Sequence, residues 1–97
     1  MTDKLFAIGQ VTKIAGQYGE FRVRPLSRYF QAYVEDKPLH LGASELLSRE
    51  VKLRNKIGVG KHIRYRFEGV NIWDEAESLI GQYIFASVED SDQINWI

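Results

Sequence analysis

Ile8-Gly9-Gln10-Val11-Thr12-Lys13-Ile14-Ala15-Gly16-Gln17-Tyr18-Gly19-Glu20-Phe21-Arg22-Val23-Arg24-Pro25-Leu26 is the stretch that decides the fold. Two apolar, β-prone runs flank Ala15-Gly16-Gln17-Tyr18-Gly19. Glycines at both corners permit the positive φ angles that a tight reversal demands. The reading is a β-hairpin, with strands over 6–13 and 20–26. Side chains alternate across a strand, so Phe21 and Val23 share one face while Arg22 and Arg24 share the other. Pro25 cannot donate to a ladder and marks where the second strand leaves the sheet.

Two further stretches repeat that alternation. In Val51-Lys52-Leu53-Arg54-Asn55-Lys56-Ile57 the apolar residues take one face and Lys52, Arg54 and Lys56 the other. After a turn at Gly58-Val59-Gly60, the run Lys61–Phe67 sets Ile63, Tyr65 and Phe67 against His62, Arg64 and Arg66. If these strands and Phe21–Arg24 share one curved sheet with its apolar side inward, three strands present Arg or Lys outward.

The remaining elements are short. Ser27–Val34 fits either a helical turn or an extended aromatic run, and its periodicity does not decide, so it receives no regular element. Glu35-Asp36-Lys37-Pro38 is turn chemistry, Leu39–Leu41 reads as a short strand, and Ser44–Glu50 reads as a polar connection. The spacing predicts a helix over 72–80. Asn71 would cap it, with Asp74 three residues on, and Ile72, Ala76, Leu79 and Ile80 would form its apolar stripe. Gly81 would stand just past its end. Gln82–Val88 reads as the last strand and 89–97 as a polar tail. Five or six strands with one capped helix imply a small antiparallel barrel, since closure removes free sheet edges.

A chain of 97 residues without cysteine is one domain lacking disulfides and thiolate metal sites, as expected in a reducing cytoplasm. The opening Met1–Phe6 lacks the apolar core of a secretory signal, and no run is long enough to span a bilayer, so a cytoplasmic protein with no membrane partner is expected. Net charge is zero but unevenly placed: residues 1–66 carry +7 and residues 67–97 carry −7. The halves either neutralise each other on the surface or leave a basic face.

Catalytic patterns are not found. Gly58-Val59-Gly60-Lys61 lacks the upstream glycine and downstream Ser or Thr of a phosphate loop, those positions being Asn55 and His62. His40 and His62 have no companions for a metal site, and no nucleophile elbow occurs. The sequence therefore reads as a binding module with no cofactor, no metal and no small-molecule substrate. Arg22, Arg24, Lys52, Arg54, Lys56, Arg64 and Arg66 are either the solvated outside of a barrel or a surface for RNA or the ribosome. Tyr18, Tyr29, Phe30 and Tyr33 either stack on bases or belong to the core.

At two places the chain resembles the N-terminal domain of RimM, the bacterial ribosome maturation factor for the small subunit. The first is the opening hairpin, with Gly9, Gly16, Gly19 and Glu20 ahead of Phe21-Arg22-Val23. The second is Gly69-Val70-Asn71 followed by Ala76, Leu79 and Gly81. The resemblance spans 6–88 and implies a six-stranded barrel of the translation-protein kind over 1–88, with 89–97 as the start of a linker. It further implies a non-catalytic chaperone of 16S rRNA processing that helps assemble the head of the 30S subunit. The implied partner is the immature small subunit, through rRNA, a head ribosomal protein or both. A generic RNA-binding barrel outside ribosome assembly is the rival reading. The chain departs from the family at Tyr18, where Lys or Arg is usual, and at Ser27-Arg28, where Thr-Asp is usual. The family also continues into a PRC-barrel, for which the residues after Asp92 leave no room, so an excised or truncated domain is expected. The ribosomal-protein contact linked to that second barrel is assigned to no residue here.

Overall fold

The computed structural model describes residues 4–15, 19–58, 63–69 and 77–88. Among the described residues seven strands and the helix α1 run in the order β1 (Lys4–Ile14), β2 (Phe21–Pro25), α1 (Phe30–Asp36), β3 (Leu39–Gly42), β4 (Arg49–Val51), β5 (Leu53–Ile57), β6 (Arg64–Phe67) and β7 (Tyr83–Val88). They form one antiparallel sheet ordered β4-β3-β7-β1-β2-β6-β5. The two edge strands of that order, β4 and β5, are consecutive in the chain and separated only by Lys52. The sheet therefore curls until one kinked stretch, 49–57, serves both edges. The Glu68 amide ties the kink by donating to the Lys52 carbonyl at 2.9 Å. Six strands are expected from the sequence, and the count becomes seven because this stretch breaks at Lys52.

The opening hairpin pairs Val11 with Val23 and Ile14 with Phe21. Its mouth is closed by the Ala15 amide, which donates to the Glu20 carbonyl at 3.0 Å, and Gly19 takes a left-handed φ of 82°. Gly16, the other corner, lies outside the described residues. Gly9 matters for a different reason: a Cβ there would lie 2.6 Å from the Phe30 ring and 2.7 Å from Val23. Its missing side chain lets the helix settle onto β1.

That helix occupies the stretch to which the sequence assigns no element. Phe30, Tyr33 and Val34 are buried at i, i+3 and i+4, a stripe wide enough to face the core. Buried Ser27 starts the turn, its Oγ accepting from the Tyr29 amide at 3.1 Å and its carbonyl from the Phe30 amide at 3.2 Å. Pro38 ends it, because the residue before proline is pushed out of the helical region, and Lys37 is extended at φ −105°, ψ 151°. Phe30 and Tyr33 thus belong to the core and Tyr29 is half exposed, while Tyr18 lies outside the described residues.

The core gathers Ile8, Val11, Phe21, Leu41, Phe67, Ile84 and their neighbours inside the curl. Phe21 sits 5.0 Å from Phe67 between ring centres, and Phe30 meets Tyr65 edge-on at 5.5 Å. Most of the helix predicted over 72–80, with Asn71 and Ala76, lies outside the described residues. Its end is visible: Leu79 is buried and the Gln82 amide donates to the Leu79 carbonyl at 3.0 Å. Gly81 follows, and it and Gly69 both have φ 87°. No helix among the described residues is long and apolar enough to cross a membrane.

Candidate nucleic-acid interface

The sheet order makes β1, β2, β6 and β5 successive neighbours, so the three basic strands expected from the sequence do adjoin. On β2, Phe21 and Val23 face the core, leaving Arg22 and Arg24 on the outer face. On β6, Tyr65 and Phe67 are buried, leaving Arg64 and Arg66 outward. The antiparallel pairing of Phe21 with Tyr65 brings Arg22 beside Arg64, with Arg24 and Arg66 on the same face toward opposite ends of the pair. A fifth cation joins them: Lys13 sits directly across from Arg22. The register shift between Val11 and Lys13 is what turns Lys13 outward, since by simple alternation it would share the inner face of Val11. No period-two reading could have found it.

Arg64 is held in place. Its Nη1 lies 3.1 Å from Glu20 Oε2 and donates to the Ala15 carbonyl at 3.2 Å. Glu20 is only 7 % exposed, so this carboxylate stiffens the hairpin mouth and fixes one guanidinium while offering little negative charge to an approaching anion. The ion pair lacks hydrogen-bond geometry at Oε2, which makes the contact with the Ala15 carbonyl the directional one.

The third strand departs from its expected alternation. The pairing of β5 with β6 shifts register between Leu53 and Asn55, which places Asn55 across from outward Arg66 and Lys56 across from buried Tyr65. Lys56 is therefore on the inner side, not with Arg54 and Lys52 on a common outer face. Its Nζ reaches α1 and pairs with Glu35 Oε1 at 2.8 Å. Burial, and secondarily the negative charge of Glu35, hold the Tyr65 phenol above its ordinary pKa. Lys52 and Arg54 are exposed at the kink and the bulge. His40 is a strand residue across from Glu50 and Phe85, and His62 lies outside the described residues. Among the described residues there is no group of three or more side chains able to hold a metal ion.

The molecule is thus a small curled antiparallel β-barrel domain with an arginine-rich outer strand face. The family model for the RimM N-terminal domain matches residues 6–91. Among proteins named ribosome maturation factor RimM, that of Clostridioides difficile is 31 % identical over 103 residues, covering 97 % of this chain and 55 % of its own. That of Prosthecochloris aestuarii is 27 % identical over 90 residues, covering 93 % and 53 %. The chain spans about half the length of these curated relatives. Among solved structures, a putative 16S ribosomal RNA processing protein RimM from Pseudomonas aeruginosa superposes with a TM-score of 0.71 at 19 % identity, covering 93 % of this chain and 52 % of that one. The solution structure of the N-terminal domain of RimM from Thermus thermophilus gives 0.65 at 19 % identity, covering 91 % and 94 %. The chain belongs to the RimM family and corresponds to its N-terminal domain.

Proposed function

We propose that this domain assists maturation of the small ribosomal subunit by laying its β1–β2–β6 outer face against rRNA phosphates. The observation that carries the reading is the cluster of Lys13, Arg22, Arg24, Arg64 and Arg66 on adjoining strands, with its neighbouring carboxylate, Glu20, buried against Arg64. Several cations on one face are what backbone phosphate binding requires. In this reading the domain works in the cytoplasm as a non-catalytic chaperone of 16S rRNA during assembly of the 30S head. The names carried by its relatives support ribosome maturation over a generic RNA-binding role.

The test is pelleting with immature small subunits, mature small subunits and an unrelated structured RNA, all at one salt concentration. Preferential retention on the immature particle is expected. Equal retention on both particles and the unrelated RNA would return the chain to the generic class.

A further inference from the structure

Along β7 the side chains of Ile84, Ala86 and Val88 enter the core, so Tyr83 and Phe85 stand on the outer face of the sheet. Tyr83 lies directly across from Gln10 on β1, and Gln10 lies directly across from Arg24 on β2. The outer face thus carries a row of Arg24, Gln10 and Tyr83, which sets an aromatic ring two strand spacings, roughly 10 Å, from an exposed arginine of the basic cluster. Tyr83 is half-buried and braced: its ring meets that of Phe85 at 6.3 Å between centres, tilted by 53°, and Phe85 is itself only 6 % exposed. Gln10 between them is tethered, its Nε2 donating to the Gly81 carbonyl at 3.2 Å. On the other flank Tyr83 faces Gly42 of β3, over which the β3–β4 connection closes: a Cβ there would lie 2.5 Å from the Leu47 carbonyl oxygen and 2.5 Å from Ser48 Cα. The ring therefore has a backbone wall on one side and the arginine on the other.

We infer that Tyr83 is a stacking subsite for one unpaired base of the RNA whose phosphates lie on Arg24 and its neighbours, an inference that rests on the function proposed above. Every base has a π face, so a braced ring beside phosphate-binding cations takes an unstacked nucleotide whatever its identity. A base inside a duplex has its faces covered by its neighbours, so the subsite favours single-stranded rRNA, the form in which bases can be splayed onto an aromatic side chain. The charge beside the ring selects RNA over an apolar protein partner, whose approach would desolvate Arg24 without pairing it.

The experiment measures, by fluorescence anisotropy, binding of the chain to three labelled RNA probes of about 12 nucleotides, the scale of a single-strand site on a small domain. They are oligoadenylate, an abasic ribose-phosphate strand of equal length and charge, and a blunt duplex. Wild type should bind oligoadenylate at least about fivefold more tightly than the abasic strand, the effect of one stacked base. Tyr83→Leu keeps an apolar contact with Phe85 and should bind the two strands alike, with duplex binding and the salt slope on every probe at their wild-type values. Tyr83→Trp should keep the preference. Wild type binding both strands alike, a Tyr83→Leu variant that keeps the preference, or equal weakening of that variant on the duplex would overturn the inference alone. The comparison of the two strands on wild type decides the inference even where Tyr83→Leu fails to fold. Wild type that binds none of the three probes would overturn the proposed function, and this inference with it.

Discussion

Phe21-Arg22-Val23-Arg24 and Leu53-Arg54-Asn55-Lys56 place their cations alike in sequence but not in space. The first lies between β1 and β6, paired on both sides, and its inner residues are locked by the core: Phe21 is fully buried and Val23 sits across from fully buried Val11. A one-residue slip there would carry Phe21 into water, so its arginines stay outward. The second is an edge strand whose apolar inner residue, Leu53, is only half buried, and a bulge between Leu53 and Asn55 costs it little. The bulge sends Lys56 to the inner side, where Glu35 receives it. Alternation is thus a dependable guide to which face a charge takes only where large apolar residues anchor the register.

The largest expected effect breaks the comparison at its anchors. Phe21→Ala should cost about 3–5 kcal/mol of stability, as deletion of a fully buried aromatic does, whereas Leu53→Ala on the half-buried edge should cost about 1–2 kcal/mol. Chemical denaturation of both variants checks this, and equal losses would mean that the edge strand is anchored as firmly as the central one.

A smaller effect reads the inner side of β5 directly. Because the Tyr65 pKa is raised on folding, the phenol favours the native state fully below about pH 10, and that contribution falls as pH rises past the unfolded value toward the folded one. Glu35→Gln should lower the Tyr65 titration midpoint while leaving it above the ordinary value, since burial is the larger cause. Absorbance titration of the phenolate measures it. No movement would place Glu35, and the Lys56 it holds, away from Tyr65.

The hairpin and the inward set of Phe21, Val23, Tyr65 and Phe67 were legible because hydrophobic alternation and turn chemistry are local signals. The helix α1 was not, since Tyr29-Phe30-Gln31-Ala32-Tyr33-Val34 satisfies a strand and a helix about equally, and the close packing of Phe30 on Gly9 is a contact distant in sequence. The composition of the basic face was half legible. Arg22, Arg24, Arg64 and Arg66 follow from alternation, but admitting Lys13 and expelling Lys56 both depend on bulges, which are set by the partner strand and leave no local mark. The exposed leucines of the β3–β4 loop were hidden for the opposite reason: in sequence an apolar pair between serines does not say whether it is buried.

The central claim is that the outer face of β1, β2 and β6 carries the contact with rRNA and that β5 does not share it through Lys56. The most direct measurement is the slope of log affinity against log salt for immature small subunits, from about 50 to 200 mM, because that slope counts the phosphates neutralised. Arg22→Gln/Arg24→Gln should flatten the slope by roughly one unit or slightly less per contact removed, and Lys56→Gln should leave it unchanged. Equal flattening by Lys56→Gln, or a slope indifferent to the β2 arginines, would contradict the account.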